Sequence, residues 1–89
     1  MKVLRFTASW CGPCRIYKPV FDEVQKQMSD TGVVFETIDL DEDTEGLSEK
    51  YGIKSIPTTV FLKENMETYA TVIGPMKKSD LIDAVESLQ

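Results

Sequence analysis

The residues best suited to chemistry in this chain are Cys11 and Cys14, separated by Gly12 and Pro13 and preceded by Trp10. Two thiols at this spacing can close into a small disulfide ring and reopen it where a strand ends and a helix begins. At a helix start the first backbone N–H groups lack partners and the peptide dipoles add up, and both effects favour an anion. Cys11 is therefore expected to ionise below the free-thiol pKa of about 8.5. Only the thiolate attacks a disulfide, yet its nucleophilicity falls with its pKa, so the best attacker titrates near ambient pH. Cys14, one turn further on, is placed to donate its S–H to Cys11 and later to attack a mixed disulfide formed there. Gly12 and Pro13 set how rigidly the pair is held. This chemistry needs no cofactor. Its competitors are a permanent structural disulfide and zinc ligation shared between two chains.

Composition removes other classes. The chain has no histidine, which excludes Cys-His and Ser-His nucleophilic pairs and any imidazole zinc site. Its two cysteines cannot close an all-thiolate zinc shell within one chain, so no metal is expected. Fifteen acidic against ten basic residues give a net charge of −5, the wrong sign for nucleic acid or an anionic membrane surface. Arg5 interrupts Met1-Lys2-Val3-Leu4 before a signal-peptide core develops. No apolar run approaches the ~20 residues of a membrane helix. A cytoplasmic location is the resulting expectation, and there a reduced thiol pool points to reactive rather than stapling cysteines. With 89 residues, a single domain over 1–89 with one small core is expected.

Lys2 to Thr7, with Val3, Leu4 and Phe6, reads as a strand, and Arg5 is its one discordant residue. Tyr17, Val20, Phe21, Val24 and Met28 mark a helical stripe over about Gly12–Met28, with Pro19 expected to kink it. Val33 to Leu40 is a second strand. Asp43 or Thr44 is expected to cap a short helix carrying Leu47 and Tyr51 and stopped by Gly52. Thr58–Lys63 and Thr68–Ile73 form a hairpin across Glu64-Asn65-Met66-Glu67, with Asn65 the candidate for positive φ. Ser79 is expected to cap a last helix carrying Leu81, Ile82, Val85 and Leu88. The order β-α-β-α-β-β-α implies an α/β fold: a mixed four-stranded sheet flanked by helices, its first three strands parallel and the hairpin antiparallel. The acidic residues Asp39, Asp41, Glu42, Asp43 and Glu45 lack the spacing and glycine of an EF-hand and read as a solvated turn.

Trp10-Cys11-Gly12-Pro13-Cys14 followed by Pro19, with Lys50-Tyr51-Gly52-Ile53, Ile56-Pro57-Thr58 and Gly74, resembles the thioredoxin family over nearly the whole chain. The resemblance implies a thioredoxin-like fold, Cys11 as exposed nucleophile and Cys14 as buried resolving thiol. It implies Pro57 in cis beside them, and the backbone of Ile56 free to pair with an extended substrate segment. Trp10, Gly12, Pro13, Ile56 and Gly74 would form a flat, mostly apolar docking patch. By residue type alone, Pro57 is an ordinary trans proline, Trp10 a core residue and Gly74 a strand end.

Two departures stand out. Relative to a typical thioredoxin the chain lacks the first strand and helix and begins at the central strand, a compactness also seen in glutaredoxins and small archaeal redox proteins. Thioredoxins usually carry a buried aspartate at the position taken here by Arg5, and the lysine that partners it aligns with Thr37. An arginine in a central strand is costly unless paired or led to an edge, with Glu36, Asp39 and Asp41 as candidate counter-ions. Either its head reaches solvent and leaves the thiols alone, or it lies near them, lowers their pKa and makes the pair a better oxidant. The expected function is that of a monomeric protein-disulfide reductase, an electron carrier recharged by a thioredoxin reductase or equivalent. The alternatives are a thiol oxidase or isomerase, and a non-catalytic binding module.

Overall fold

Val3 to Phe6 are all buried, and an apolar strand of that kind must lie in the middle of a sheet with both faces covered. A computed structural model describes residues 1–88 and places this strand, β1 (Lys2–Thr7), between two neighbours. The other elements are α1 (Gly12–Gln27), β2 (Val34–Asp39), a 3-10 turn (Leu40–Glu42), α2 (Leu47–Lys50), β3 (Thr58–Leu62), β4 (Thr68–Ile73) and α3 (Lys78–Leu88). They form an α/β structure with one four-stranded sheet in the order β2-β1-β3-β4.

Alternation along the strands divides the core in two. Val3, Phe35 and Phe61 face Tyr17, Phe21 and Val24 of α1 and Leu81 and Val85 of α3. Leu4, Phe6, Ile38, Val60 and Leu62 point the other way, toward Leu47, Tyr51, Ile53 and Ile56 around α2. Tyr17 is fully buried, and its hydroxyl lies 2.7 Å from Thr59 Oγ1. Burial pushes the Tyr17 pKa up, against the hydrogen bond to Thr59. Tyr17→Phe leaves the Thr59 hydroxyl without this partner and should cost about 1–2 kcal/mol in denaturant unfolding.

The sheet is mixed, but only one pair is parallel. β1 and β2 run parallel, whereas β3 is antiparallel to β1 as well as to β4, which corrects the expectation of three parallel strands. The reason is the length of α2. A parallel return must carry the chain back along a whole strand, roughly 17–20 Å. The four residues of α2 rise only about 6 Å at 1.5 Å per residue, so β3 starts near where β2 ends and runs back.

Turn chemistry differs in detail from expectation. Gly46, at φ 68°, occupies the cap position of α2 rather than Asp43 or Thr44. The Asp43 carboxylate still does the capping, accepting the N–H groups of Leu47 at 2.9 Å and Ser48 at 2.8 Å. Asp39 similarly accepts the Asp41 N–H at the 3-10 turn. The Ser48 and Leu47 hydrogen bonds hold the Asp43 pKa below the ordinary aspartate value. A carboxylate depressed in the folded state adds stability above its unfolded pKa of about 3.9 and loses it as pH falls through the folded value. Asp43→Asn should flatten this acid limb of the stability profile, measured by unfolding at stepped pH.

In the hairpin Met66, not Asn65, takes the positive φ of 69°. Asn65 Oδ1 accepts the Glu67 N–H at 3.1 Å, which holds Asn65 at the start of the turn and passes the left-handed position to its neighbour. Helix α3 begins at Lys78, so Ser79 lies inside its first turn; the Leu81 N–H bonds the Lys77 carbonyl at 3.0 Å. Helix α1 continues through Pro19, which lies on its exposed side, where the carbonyl deprived of a partner N–H can be hydrated.

Candidate active site

Cys11 stands at the N-cap of α1 with extended backbone, and the Cys14 N–H donates to Cys11 Sγ at 3.2 Å. Gly12 and Pro13 fill the first positions of the helix, where a missing proline N–H costs no hydrogen bond. The two sulfurs are joined as a disulfide, with their Cα atoms 5.3 Å apart. Sequence spacing thus brings both where thiol chemistry requires them.

Exposure differs from what the resemblance implied. Cys11 retains 6% of its surface and Cys14 only 1%, so in the oxidised form both are buried and Cys11 is merely the less covered. Ring closure packs both sulfurs against Ala8, with Ile56 leaning on the cluster. The Ile56 carbonyl oxygen lies 3.9 Å from Cys11 Sγ. A disulfide sulfur has no proton to donate, so this contact becomes a donor–acceptor pair only once the ring opens.

Ile56-Pro57 is a cis peptide, and Pro57 is buried. The Pro57 carbonyl accepts the Gly74 N–H at 2.8 Å, which ties the end of β4 to the loop beside the sulfurs. Gly74 has φ 96°, and a Cβ built there meets nothing within 4 Å. Backbone conformation rather than crowding therefore calls for glycine at this place. Trp10 is 67% exposed, not a core residue, and Gly12 and Pro13 are exposed beside it. Ile73 was missed by sequence reasoning. It is 71% exposed at the end of β4, opposite Thr58, and extends the apolar surface next to Gly74. Only an alternation count that put Ile73 on the outer face of the edge strand would have found it.

Arg5 fits neither expected arrangement in full. It is 3% exposed, its Nε and Nη2 donate to Thr37 Oγ1 at 3.3 and 3.0 Å, and its guanidinium lies 5.2 Å from the centroid of the Phe21 ring. Its head is therefore not led out into open solvent. None of the three candidate carboxylates forms an ion pair with it. Glu36 pairs with Lys2 at 3.2 Å, and Asp39 caps the 3-10 turn through Asp41. Burial lowers the Arg5 pKa, opposed through space by Asp22 first and then Tyr17. Arg5 and Cys14 line one cavity of about 330 Å³.

Comparison with known proteins agrees with this geometry. The family model described as Thioredoxin matches residues 1–87. The chain is 42% identical over 81 residues to a chloroplastic M-type thioredoxin of Spinacia oleracea, covering 91% of this chain and 43% of that protein. It is 42% identical over 83 residues to an H-type thioredoxin of Oryza sativa subsp. indica, covering 93% of this chain and 64% of that protein. Among solved structures, thioredoxin-2, a component of malaria parasite protein secretion machinery, superposes with a TM-score of 0.87 at 31% identity. That superposition covers 97% of this chain and 81% of that one.

Proposed function

This chain belongs to the thioredoxin family, and on that premise we propose that it is a thiol-disulfide oxidoreductase that reduces protein disulfides through Cys11 and Cys14. The observation that carries the reading is the disulfide at the start of α1, with the Cys14 N–H directed at Cys11 Sγ. In the dithiol form that N–H and the helix start stabilise a thiolate at Cys11. The thiolate attacks one sulfur of a substrate disulfide and expels the other as a thiolate. Cys14 then loses its proton and attacks Cys11 Sγ, which releases the second substrate sulfur and leaves the Cys11–Cys14 disulfide. Two electrons have passed to the substrate, and an external dithiol donor of the thioredoxin reductase type returns them. The two sulfurs suffice, so no cofactor enters the cycle.

Trp10, Gly12, Pro13, Ile56, Pro57 and Gly74 form the docking surface in this reading, with Ile73 added at its edge. An extended substrate strand pairs with the Ile56 backbone and brings its sulfur to Cys11. The reading places a monomer in a reducing compartment such as the cytoplasm, which suits its acidic charge and reactive pair. The test is reduction of an insulin-like disulfide with a dithiol supply, compared with the dithiol alone. Rates no higher than the dithiol alone would end it. Equal partner binding by wild type and by the Cys11→Ser/Cys14→Ser variant, with no turnover, would favour a binding module instead.

One observation favours a second reading, as an oxidase or isomerase. The Arg5 cation shares a cavity wall with Cys14, and a cation there stabilises the dithiol side of the couple. Arg5→Met should then lower the reduction potential by on the order of 30 mV, about tenfold in the equilibrium constant. Redox titration of both proteins against glutathione measures this, and an unchanged potential removes Arg5 from the redox chemistry.

A further inference from the structure

Three stretches of the chain supply the surroundings of the sulfurs: residues 1–21 with Cys11 and Cys14, residues 50–63 with Ile56 and Pro57, and residues 68–79 with Gly74. They hold four, three and two basic residues and no acidic one. All fifteen acidic residues lie elsewhere, with Lys26 the one base among them. A chain of net charge −5 thus keeps its acids out of every stretch that builds the site.

Most of those bases are already occupied or turned away. Arg5 is buried, and Lys2 and Lys63 stand at the end of the sheet opposite the sulfurs. Lys18 pairs with Asp22 at 2.6 Å and Lys78 with Glu23 at 2.8 Å. Lys54 and Lys77 differ: both are exposed, the first two residues before Ile56 and the second three residues after Gly74. Among the described residues the ion pairs within 4.0 Å are Lys2–Glu36, Lys18–Asp22 and Lys78–Glu23, so neither lysine is neutralised, even by Glu49 or Asp80 nearby in sequence. The bond from the Gly74 N–H to the Pro57 carbonyl, at 2.8 Å, ties their two loops into one rim beside the sulfurs.

Sheet order gives this rim a direction. Ile56 leads into β3 on one side of β1, whereas Asp39, Asp41, Glu42 and Asp43 end β2 and form the turn after it on the other side. The sulfur face is therefore basic toward β3 and β4 and acidic toward β2. We propose that Lys54 and Lys77 select disulfide substrates whose strand carries carboxylates beside the reactive cysteine. This names the substrate class for the reductase activity proposed above and rests on it. A strand that pairs with the Ile56 backbone lies on the basic side, within reach of both ammonium groups. Exposed charges of this kind act on encounter and orientation more than on the bond-breaking step, so selection shows in kcat/KM. The net negative charge does not cancel it: at about 0.1 M salt the screening length is ~10 Å, too short for acids at the far end of a molecule 30 Å long.

The test uses three disulfide-linked peptides that differ only in the two residues flanking the cysteine, which are Glu, Gln or Lys. At about 0.1 M salt kcat/KM is expected to fall in that order, with a several-fold gap between first and last. The gap should close at about 1 M, where the screening length is ~3 Å. Lys54→Gln/Lys77→Gln should lose most of the gap and Lys54→Glu/Lys77→Glu should invert it. Both side chains are exposed and unpaired, so these variants keep the fold, and the Gln peptide gives each protein its own reference. Any other order of the three peptides, equal values, or a gap that survives high salt or Lys54→Gln/Lys77→Gln overturns the proposal and leaves the reductase standing. Reduction of none of them overturns the reductase reading and the selection with it.

Discussion

Cys11→Ser is expected to bring disulfide reduction down to the rate of the reducing agent alone, while Cys14→Ser is expected to stop after one step with substrate still attached. A serine hydroxyl at the helix start is not ionised near neutral pH, so the N–H of residue 14 and the helix dipole have no anion to stabilise, and the one thiol left, Cys14, is the more enclosed. In Cys14→Ser the nucleophile survives, but nothing displaces the substrate from Cys11. Non-reducing electrophoresis or intact mass should then find one substrate per chain, released by dithiothreitol. The proposed roles rest on place: Cys11 caps the helix and receives the Cys14 N–H, and Cys14 is the more enclosed of the two. An adduct trapped on Cys14 in Cys11→Ser, with none on Cys11 in Cys14→Ser, would reverse the assignment. Loss of activity in both variants with no adduct in either would remove the covalent mechanism altogether.

Much of this site is local in the chain and so was legible before any fold was known. The spacing of Cys11 and Cys14, the strand before them and the stripe from Tyr17 to Met28 all lie within thirty residues and place the sulfurs at the start of α1. The arrival of Ile56-Pro57 and Gly74 beside them rested on resemblance, because periodicity does not say which distant loops meet. Arg5 shows the limit most clearly. Its partner Thr37 lies across the β1–β2 register, and Phe21 comes from a helix laid over that strand. The carboxylates of Glu36 and Asp39, equally near in sequence, are spent on Lys2 and on a turn. The direction of β3 departs from expectation for a related reason: the stop at Gly52 is legible and Gly52 takes φ 65°, but the helix begins only at Leu47 instead of after Asp43 or Thr44, which leaves a single turn between β2 and β3.

Phe21→Ala should be the most damaging single substitution outside the sulfurs, because Phe21 joins the helix that carries them to the sheet. The ring is fully buried, in edge contact with Tyr17 at 5.9 Å and with Phe35 at 5.7 Å between centroids. Truncating a buried phenylalanine costs about 3–5 kcal/mol, a large part of the ~5–15 kcal/mol that holds a small domain together. At about 4–8 °C per kcal/mol for a domain of this size, the melting temperature should fall by at least ~12 °C. A second loss adds to the cavity. The Arg5 guanidinium lies over this ring, and removing the ring strips a buried cation of its aromatic face. Phe21→Leu restores most of the volume but not that face, so it should recover most of the stability and not all. In the cycle of Phe21→Leu with Arg5→Met, the coupling between the two sites should be about 0.5–1 kcal/mol. A loss below about 1 kcal/mol in Phe21→Ala would mean that α1 is anchored elsewhere, and the position of Cys11 at its start would need another explanation than packing on β1.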